Sequence, residues 1–194
     1  MSISHLSRTN QATFHDDATS CYDRIIIALA NLVGRRFGMP VEIARLHGTT
    51  LEKMKYYVST ALGISENYYS HSEETPVYGT GQGSCASPSI WLQICSVLFD
   101  CHNQRSFGAT YTSPDGTIVF KNSMTGFVDD TKGQTNDMSS TEALPLQQLI
   151  ACMQADAQLW GDLLRNSGGA LEIPKCDYYV MKWDFQPSGI PTSD

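Results

Sequence analysis

Two adjacent carboxylates, Asp129 and Asp130, follow the short apolar run Gly126-Phe127-Val128. An apolar run of this length ending in Asp-Asp reads as a buried strand that carries two anions to a tight turn. Like charges side by side repel, and burying either is costly unless a cation lies between them. A hard divalent cation such as Mg²⁺ takes oxygen ligands of this kind. Taken alone, the same residues equally suit an Asx-rich hairpin turn. The rest of the chain has to separate the two readings.

The first help comes from Asp17. Residues 13–17 read as a short strand handing over to a turn. The apolar Arg24–Val33 then reads as a helix, ended by Gly34, Gly38 and Pro40. Pro40 opens a second helical stretch, Val41–His47, which Gly48 is expected to interrupt. Tyr57–Leu62 reads as a strand turned by Gly63, and Ser65–Thr75 as a polar loop. Gly79, Gly81 and Gly83 stand at alternate positions, which excludes an ordinary strand interior. Glycines there free the backbone for close approach to a ligand. Ser87 and Pro88 look like the cap and first residue of a helix that is apolar nearly all round over Ile90–Phe99, and so buried.

Pro114-Asp115-Gly116 turns a hairpin between Ala109–Ser113 and Thr117–Phe120. The strand 124–128 follows, with a return strand after Gly133 and a polar loop over Gln134–Thr141. Pro145 starts an amphipathic helix in which Leu149, Met153, Ala157, Trp160 and Leu164 recur at helical spacing, ended by Gly168-Gly169. Two short strands, Leu171–Ile173 and Tyr178–Trp183, complete the pattern. This order gives an α+β fold: a small antiparallel sheet with helices packed on one face. If the strands ending at Asp17 and Asp129 are neighbours in that sheet, Asp17, Asp129 and Asp130 converge.

Composition limits the choices. The chain has 194 residues, enough for one domain with a core, and 41% hydrophobic against 17% charged residues excludes a disordered chain. No apolar run approaches the ~20 residues of a membrane span, and Met1–His5 has no signal-peptide pattern, so the expected location is intracellular. Six cysteines lack a CxxC pair and read as small buried hydrophobes in a reducing compartment. Cys95, Cys101 and His102 share one apolar helix, where core packing outweighs a metal role. The net charge of −7 runs against the basic channel of a complete nucleic-acid enzyme. Either the chain does not bind nucleic acid or its basic parts lie elsewhere.

Three carboxylates on a rigid sheet would hold two metals about 4 Å apart. Such a pair activates an attacking hydroxyl and offsets charge on a phosphoryl group in transfer. Gln82 would add a side-chain amide and Lys175 a cation beside a leaving pyrophosphate. The plainer readings stay open residue by residue. Asp16, Asp17 and Asp23 also suit the N-terminal charges of the following helix. The glycine run also suits a plain loop, and lacks the βαβ context of a dinucleotide fingerprint. Lys175 also suits a surface lysine.

Four stretches together resemble the palm of reverse transcriptases, retrotransposon-like in form. They are Asp17-Ala-Thr-Ser-Cys-Tyr22-Asp23, Gly81-Gln82-Gly83-Ser84 with Ser87-Pro88, Phe127-Val128-Asp129-Asp130, and Gly169-x-Leu171-x-x-x-Lys175, in the order of that family's motifs A to D. The resemblance covers 13–183, leaving 1–12 as a flexible leader and 184–194 as a tail, and implies the right-hand palm fold. It implies RNA-directed DNA synthesis with two Mg²⁺ ions, or Mn²⁺, on an RNA template, a DNA primer and deoxynucleoside triphosphates. Asp17, Asp129 and the carbonyl of Ala18 would be metal ligands, with Asp130 auxiliary. Tyr22 would block a ribose 2′-hydroxyl, Gln82 and Gly83 would lie along the nucleotide and template, and Lys175 would act at the pyrophosphate.

Phe127 departs from the family's commoner Tyr. The fingers, thumb and basic channel are expected outside this chain, which alone should have little activity. Two alternatives remain: a palm of an RNA-dependent RNA polymerase, disfavoured because Tyr22 stands where those enzymes carry a second Asp, and a non-catalytic remnant.

Overall fold

The structure is a computed structural model that describes residues 9–74, 76–81, 84–137, 144–185 and 191–193, with 184, 185 and 191–193 described by backbone alone. In chain order the elements are β1 (Gln11–Asp17), α1 (Ile27–Arg36), α2 (Val41–Glu52), β2 (Lys55–Thr60), β3 (Gly63–Ser70) and α3 (Ser87–Arg105). They continue with β4 (Ala109–Thr112), β5 (Val119–Asn122), β6 (Met124–Phe127), β7 (Asp130–Asn136), α4 (Leu146–Asn166), β8 (Asp177–Met181), β9 (Trp183–Phe185) and β10 (Pro191–Ser193). Two single 3-10 turns lie at Cys21–Arg24 and Ile173–Lys175. The chain divides into two units, one made of residues up to Thr19 with those from Ser96 onward, the other of Ser20–Cys95.

The first unit is built on an antiparallel sheet of strand order β6-β7-β1-β8. Side chains alternate across each strand. Phe14, Asp16, Thr131, Gly133 and Thr135 therefore share one face, and Thr13, His15, Asp17, Asp130, Lys132 and Gln134 the other. The first face carries the core. Its helical cover is α4, whose stripe Leu149, Met153, Asp156, Trp160 and Leu164 is buried. Trp160 packs on Phe99 and His102 of α3, ring centroids 5.3 and 6.4 Å away. The apolar stripe expected from the sequence is thus present, except that Asp156 takes the buried place and Ala157 lies half-exposed.

Asp156 is buried because it has partners. Its Oδ1 accepts the N–H of Phe107, and its Oδ2 accepts the N–H of Gly108 and the hydroxyl of Thr135, at 2.8–2.9 Å. One carboxylate so joins the start of β4, the end of β7 and α4. His102 Nε2 donates to the Asp156 carbonyl at 2.9 Å, and Ser123 Oγ lies 3.0 Å from His102 Nδ1, the nitrogen left to accept. Both ring nitrogens are engaged, so His102 is a core histidine.

Burial holds the His102 pKa below the ordinary histidine value, against the opposing effect of the Asp156 carbonyl. Burial does the same at His47. The unfolded chain takes up these protons near pH 6.5 while the folded chain resists them, so stability is expected to fall as pH drops below about 6.5. Urea midpoints at pH 7.5 and 5.5 check this, and an unchanged midpoint would contradict it.

The second unit holds α1 and α2 and the hairpin β2–β3. Here two expectations need correction. Helix α2 runs straight through Gly48. A Cβ on Gly48 would lie 2.7 Å from Asn31 Nδ2, so the glycine permits α1 to approach closely, and Asn31 Oδ1 meets His47 Nδ1 at 2.9 Å. The expected loop after Gly63 is strand β3 as far as Ser70. Tyr69 stacks on Tyr56 and Tyr68 tilts against Tyr57 across the hairpin. Such cross-strand aromatic pairs stabilise a strand whose polar residues face solvent. In the first unit, the stretch Leu171–Ile173 is a single bridge, Leu171 to Ala18, followed by a 3-10 turn. The strand expected from Tyr178 begins one residue earlier and breaks at Lys182.

Candidate active site

Strands β1 and β7 are direct neighbours, with Asp17 opposite Asp130. Opposed residues of an antiparallel pair point to one face with Cβ atoms about 5 Å apart. The two carboxylates thus share the open face of the sheet. Asp129 lies in the two-residue turn between Phe127 and Asp130. The other turn residue, Val128, has φ 59°. A β-branched side chain in the left-handed region costs about 1–2 kcal/mol, and the surroundings must hold it there. Beside it, the Ala18 N–H donates to the Asp129 carbonyl at 3.0 Å. Beyond it, Thr19 N–H donates to the Ala170 carbonyl and Glu172 N–H to the Asp17 carbonyl, both at 2.9 Å. Asp17, Ala18 and Asp129 are therefore fixed by one set of backbone hydrogen bonds.

Lys175 stands over this group. Its Nζ is 3.2 Å from Asp17 Oδ2. Asp17 is mostly covered and Lys175 mostly exposed, 17% against 64% of the side chain, so the ammonium acts as a lid charge on a carboxylate set into the sheet. The hydrogen bond and charge of Asp17 raise the Lys175 pKa, with Glu172 and Asp129 adding to the effect. On the core side Asp16 is 7% exposed, and burial raises its pKa although the Cys176 thiol hydrogen-bonds to it.

One register step further along the open face lies a second row, Thr125, Lys132, His15 and Asp177. Lys132 Nζ meets the Tyr179 hydroxyl at 3.0 Å, and the His15 ring packs edge-on against Tyr179. In the next row Tyr111 of β4 bonds to Gln134 at 3.0 Å and Thr13 is fully buried, while Tyr179 on β8 stays exposed. The open part is a cleft of about 610 Å³, lined among others by Asp17, Asp130, Lys175, Lys132 and Phe127. Sequence reasoning misses the second row, although a strand places Lys132 on the face of Asp130, two residues on.

Tyr22 belongs to the second unit. It sits in the first 3-10 turn, and its carbonyl accepts the Thr80 N–H at 3.0 Å. Gly79 N–H donates to the Ile25 carbonyl at 2.9 Å. Gly79 has φ 93°, and a Cβ there would lie 2.5 Å from Asp23 Cα. The glycine loop therefore packs directly on the Tyr22 turn. Ser87 does not use its hydroxyl as an ordinary cap. It accepts from Thr80 Oγ1 at 2.7 Å and donates back to the Gly81 carbonyl at 2.9 Å. Gln82 and Gly83 lie outside the described residues.

The charge is unevenly placed. The first unit has seven Lys and Arg against fourteen Asp and Glu, and the second has six of each. The whole excess of −7 lies in the unit that holds the carboxylates. Their donor atoms are the oxygens that hard divalent cations take. Among the described residues no three His, Cys, Asp or Glu side chains converge as a metal cluster, and it is Lys175 that brings positive charge to Asp17.

The chain is a mixed α/β molecule with small antiparallel sheets and four helices among the described residues. No helix among the described residues is long and apolar enough to cross a membrane. In fold it is similar to apo telomerase from Candida tropicalis truncated from its C-terminal domain, with a TM-score of 0.56 and 12% identity. The likeness covers 99% of this chain and 37% of that one, so the chain spans little more than a third of that structure. No family model and no curated protein matches by sequence.

Proposed function

We propose that this chain is the palm portion of a reverse transcriptase of retroelement type, extending a DNA primer on an RNA template. The observation that carries the proposal is Asp17 facing Asp130 across two paired strands, with Asp129 in the adjoining turn. The fold likeness to telomerase, a reverse-transcriptase-related enzyme, supports it.

In this reading Asp17 and Asp129 hold Mg²⁺, with Asp130 beside them and the carbonyl of Ala18 as a further ligand. The bound metal supplies charge neutralisation and lowers the pKa of the primer hydroxyl. The 3′-oxygen attacks the α-phosphorus, the bond to the pyrophosphate breaks, and the hydroxyl proton leaves to water. Lys175 orients the pyrophosphate and gives it a proton. Tyr22 excludes the 2′-hydroxyl of a ribonucleotide, while Gln82 and Gly83 line the nucleotide and template.

The test is primer extension on an RNA template, with deoxynucleotides and Mg²⁺, by the protein that contains this chain. Asp129→Ala is expected to lower synthesis at least about 100-fold, the scale of losing one charge-stabilising group. Mn²⁺ binding followed by electron paramagnetic resonance should weaken in the same variant. Full synthesis by Asp129→Ala removes the metal role. A non-catalytic module of the same fold is the second reading, favoured by the Lys175 ammonium resting on Asp17. Unaltered Mn²⁺ binding together with no synthesis by the wild type would select it.

A further inference from the structure

In a cleft lined by Asp16, Asp17, Asp130 and Asp177, one cation is left without a carboxylate partner among the described residues. Lys175 is paired with Asp17, and His15 lies 3.8 Å from Asp177. Lys132 instead meets a neutral phenol, Tyr179 Oη at 3.0 Å, with its ammonium 5.7 Å from that ring's centroid. Lys132 lies in the register row next to Asp17 and Asp130, on the same face. Two residues along a strand correspond to roughly 7 Å. Thr125, directly opposite Lys132 on β6, is exposed in the same row. The ammonium and the phenol O–H are donors that take a phosphate oxygen, and the Thr125 hydroxyl beside them donates to the Lys132 carbonyl at 3.4 Å and can turn to join them.

The direction of the row adds the second part of the argument. A strand end placed at the carboxylates meets the second row next along the sheet face, before Tyr111 and Gln134. That row holds Thr125, Lys132, His15 and Asp177, with Tyr179 in the row after it. We propose that Lys132, with Tyr179 and Thr125, forms a phosphate subsite one register step from Asp17 and Asp130, and that it takes a backbone phosphate of a nucleic-acid strand. The inference rests on the polymerase reading above and adds the residues that position the strand. Lys132 is a positioning residue and touches no reacting atom.

A phosphate has two sources here, a strand backbone or a free nucleoside triphosphate. The experiment measures fluorescence anisotropy of a labelled primer–template duplex in EDTA at about 0.1 M salt, where the Debye length of about 10 Å screens the molecule's net negative charge. A parallel arm titrates a deoxynucleoside triphosphate as competitor. Lys132→Gln should weaken duplex binding about 5- to 10-fold for every sequence tried and lower the salt slope by about one, the signature of one lost phosphate contact. Lys132→Arg should restore it, and Tyr179→Phe should weaken it about 2-fold, the smaller effect of losing one neutral hydrogen bond. Thermal melts confirm that the variants fold.

Unchanged duplex binding by Lys132→Gln overturns the subsite while leaving the polymerase reading intact. Loss of triphosphate binding alone overturns the strand as its ligand. No duplex binding by the wild type overturns both.

Discussion

Replacing Asp156 by alanine is expected to cost about 4 kcal/mol of folding stability, a large share of what a domain of this size has. The arithmetic follows from its partners. Phe107 N–H, Gly108 N–H and the Thr135 hydroxyl all donate to this one carboxylate. Removing it leaves two backbone donors and a hydroxyl unpaired at a site that is 2% exposed, at about 1–3 kcal/mol for each fully buried group. Asp156→Asn keeps one acceptor oxygen and should lose less. Urea denaturation of the two variants measures the difference, and equal midpoints for Asp156→Ala and wild type would show that water replaces the carboxylate.

The second large effect is expected at Gly133, in the middle of β7. A Cβ there would lie 1.9 Å from the ring of Phe14, its register partner on β1. Phe14 is 2% exposed and packs edge-on toward His102, so the ring has nowhere to move without opening the core. Gly133→Val should destabilise by about 3 kcal/mol or more, since forced overpacking costs about 1–3 kcal/mol and here the contact falls in a strand pair. The same change should loosen the Asp17–Asp130 register, because both strands carry it. Amide exchange on β1 and β7 reads the loosening directly. Native exchange on both strands of the Gly133→Val protein would rule the argument out.

These two residues also show where a sequence stops being legible. Asp156 falls on the apolar stripe of α4, and the helical pattern assigns that place to Ala157, one residue on. Nothing in a helical period tells an acid that will meet two orphaned N–H groups from one that will face solvent. Gly133 looks like a turn signal, with the return strand expected only after it. Its real use is a missing side chain, visible only once Phe14 is known to lie opposite.

The carboxylates are easier. Asp17 and Asp129-Asp130 each sit at the end of a short strand pattern, and strand ends are where buried backbone gives way to polar side chains. From the sequence their convergence is conditional on the strands ending at Asp17 and Asp129 being neighbours; in the sheet β7 lies between β1 and β6, and Asp17 instead faces Asp130, the first residue of β7. Lys132 escapes because a single lysine carries no signal until its row is known. Strand β3 escapes for another reason: its stability comes from tyrosine pairs across the hairpin, and a polar stretch read in one dimension hides them.

The strained turn at Val128 has a consequence for how the acidic group can change over time. The amide of the residue that follows Asp17 ties this turn to the end of β1. The two halves of the group, separated by more than a hundred positions in the chain, therefore do not drift independently. A substitution that shifts the end of β1 moves the tip of the β6–β7 hairpin with it, and one that relaxes Val128 frees both at once. Their separation behaves as one inherited quantity, set by the paired strands and the hydrogen bond that ties the turn to them, and paired changes adjust it.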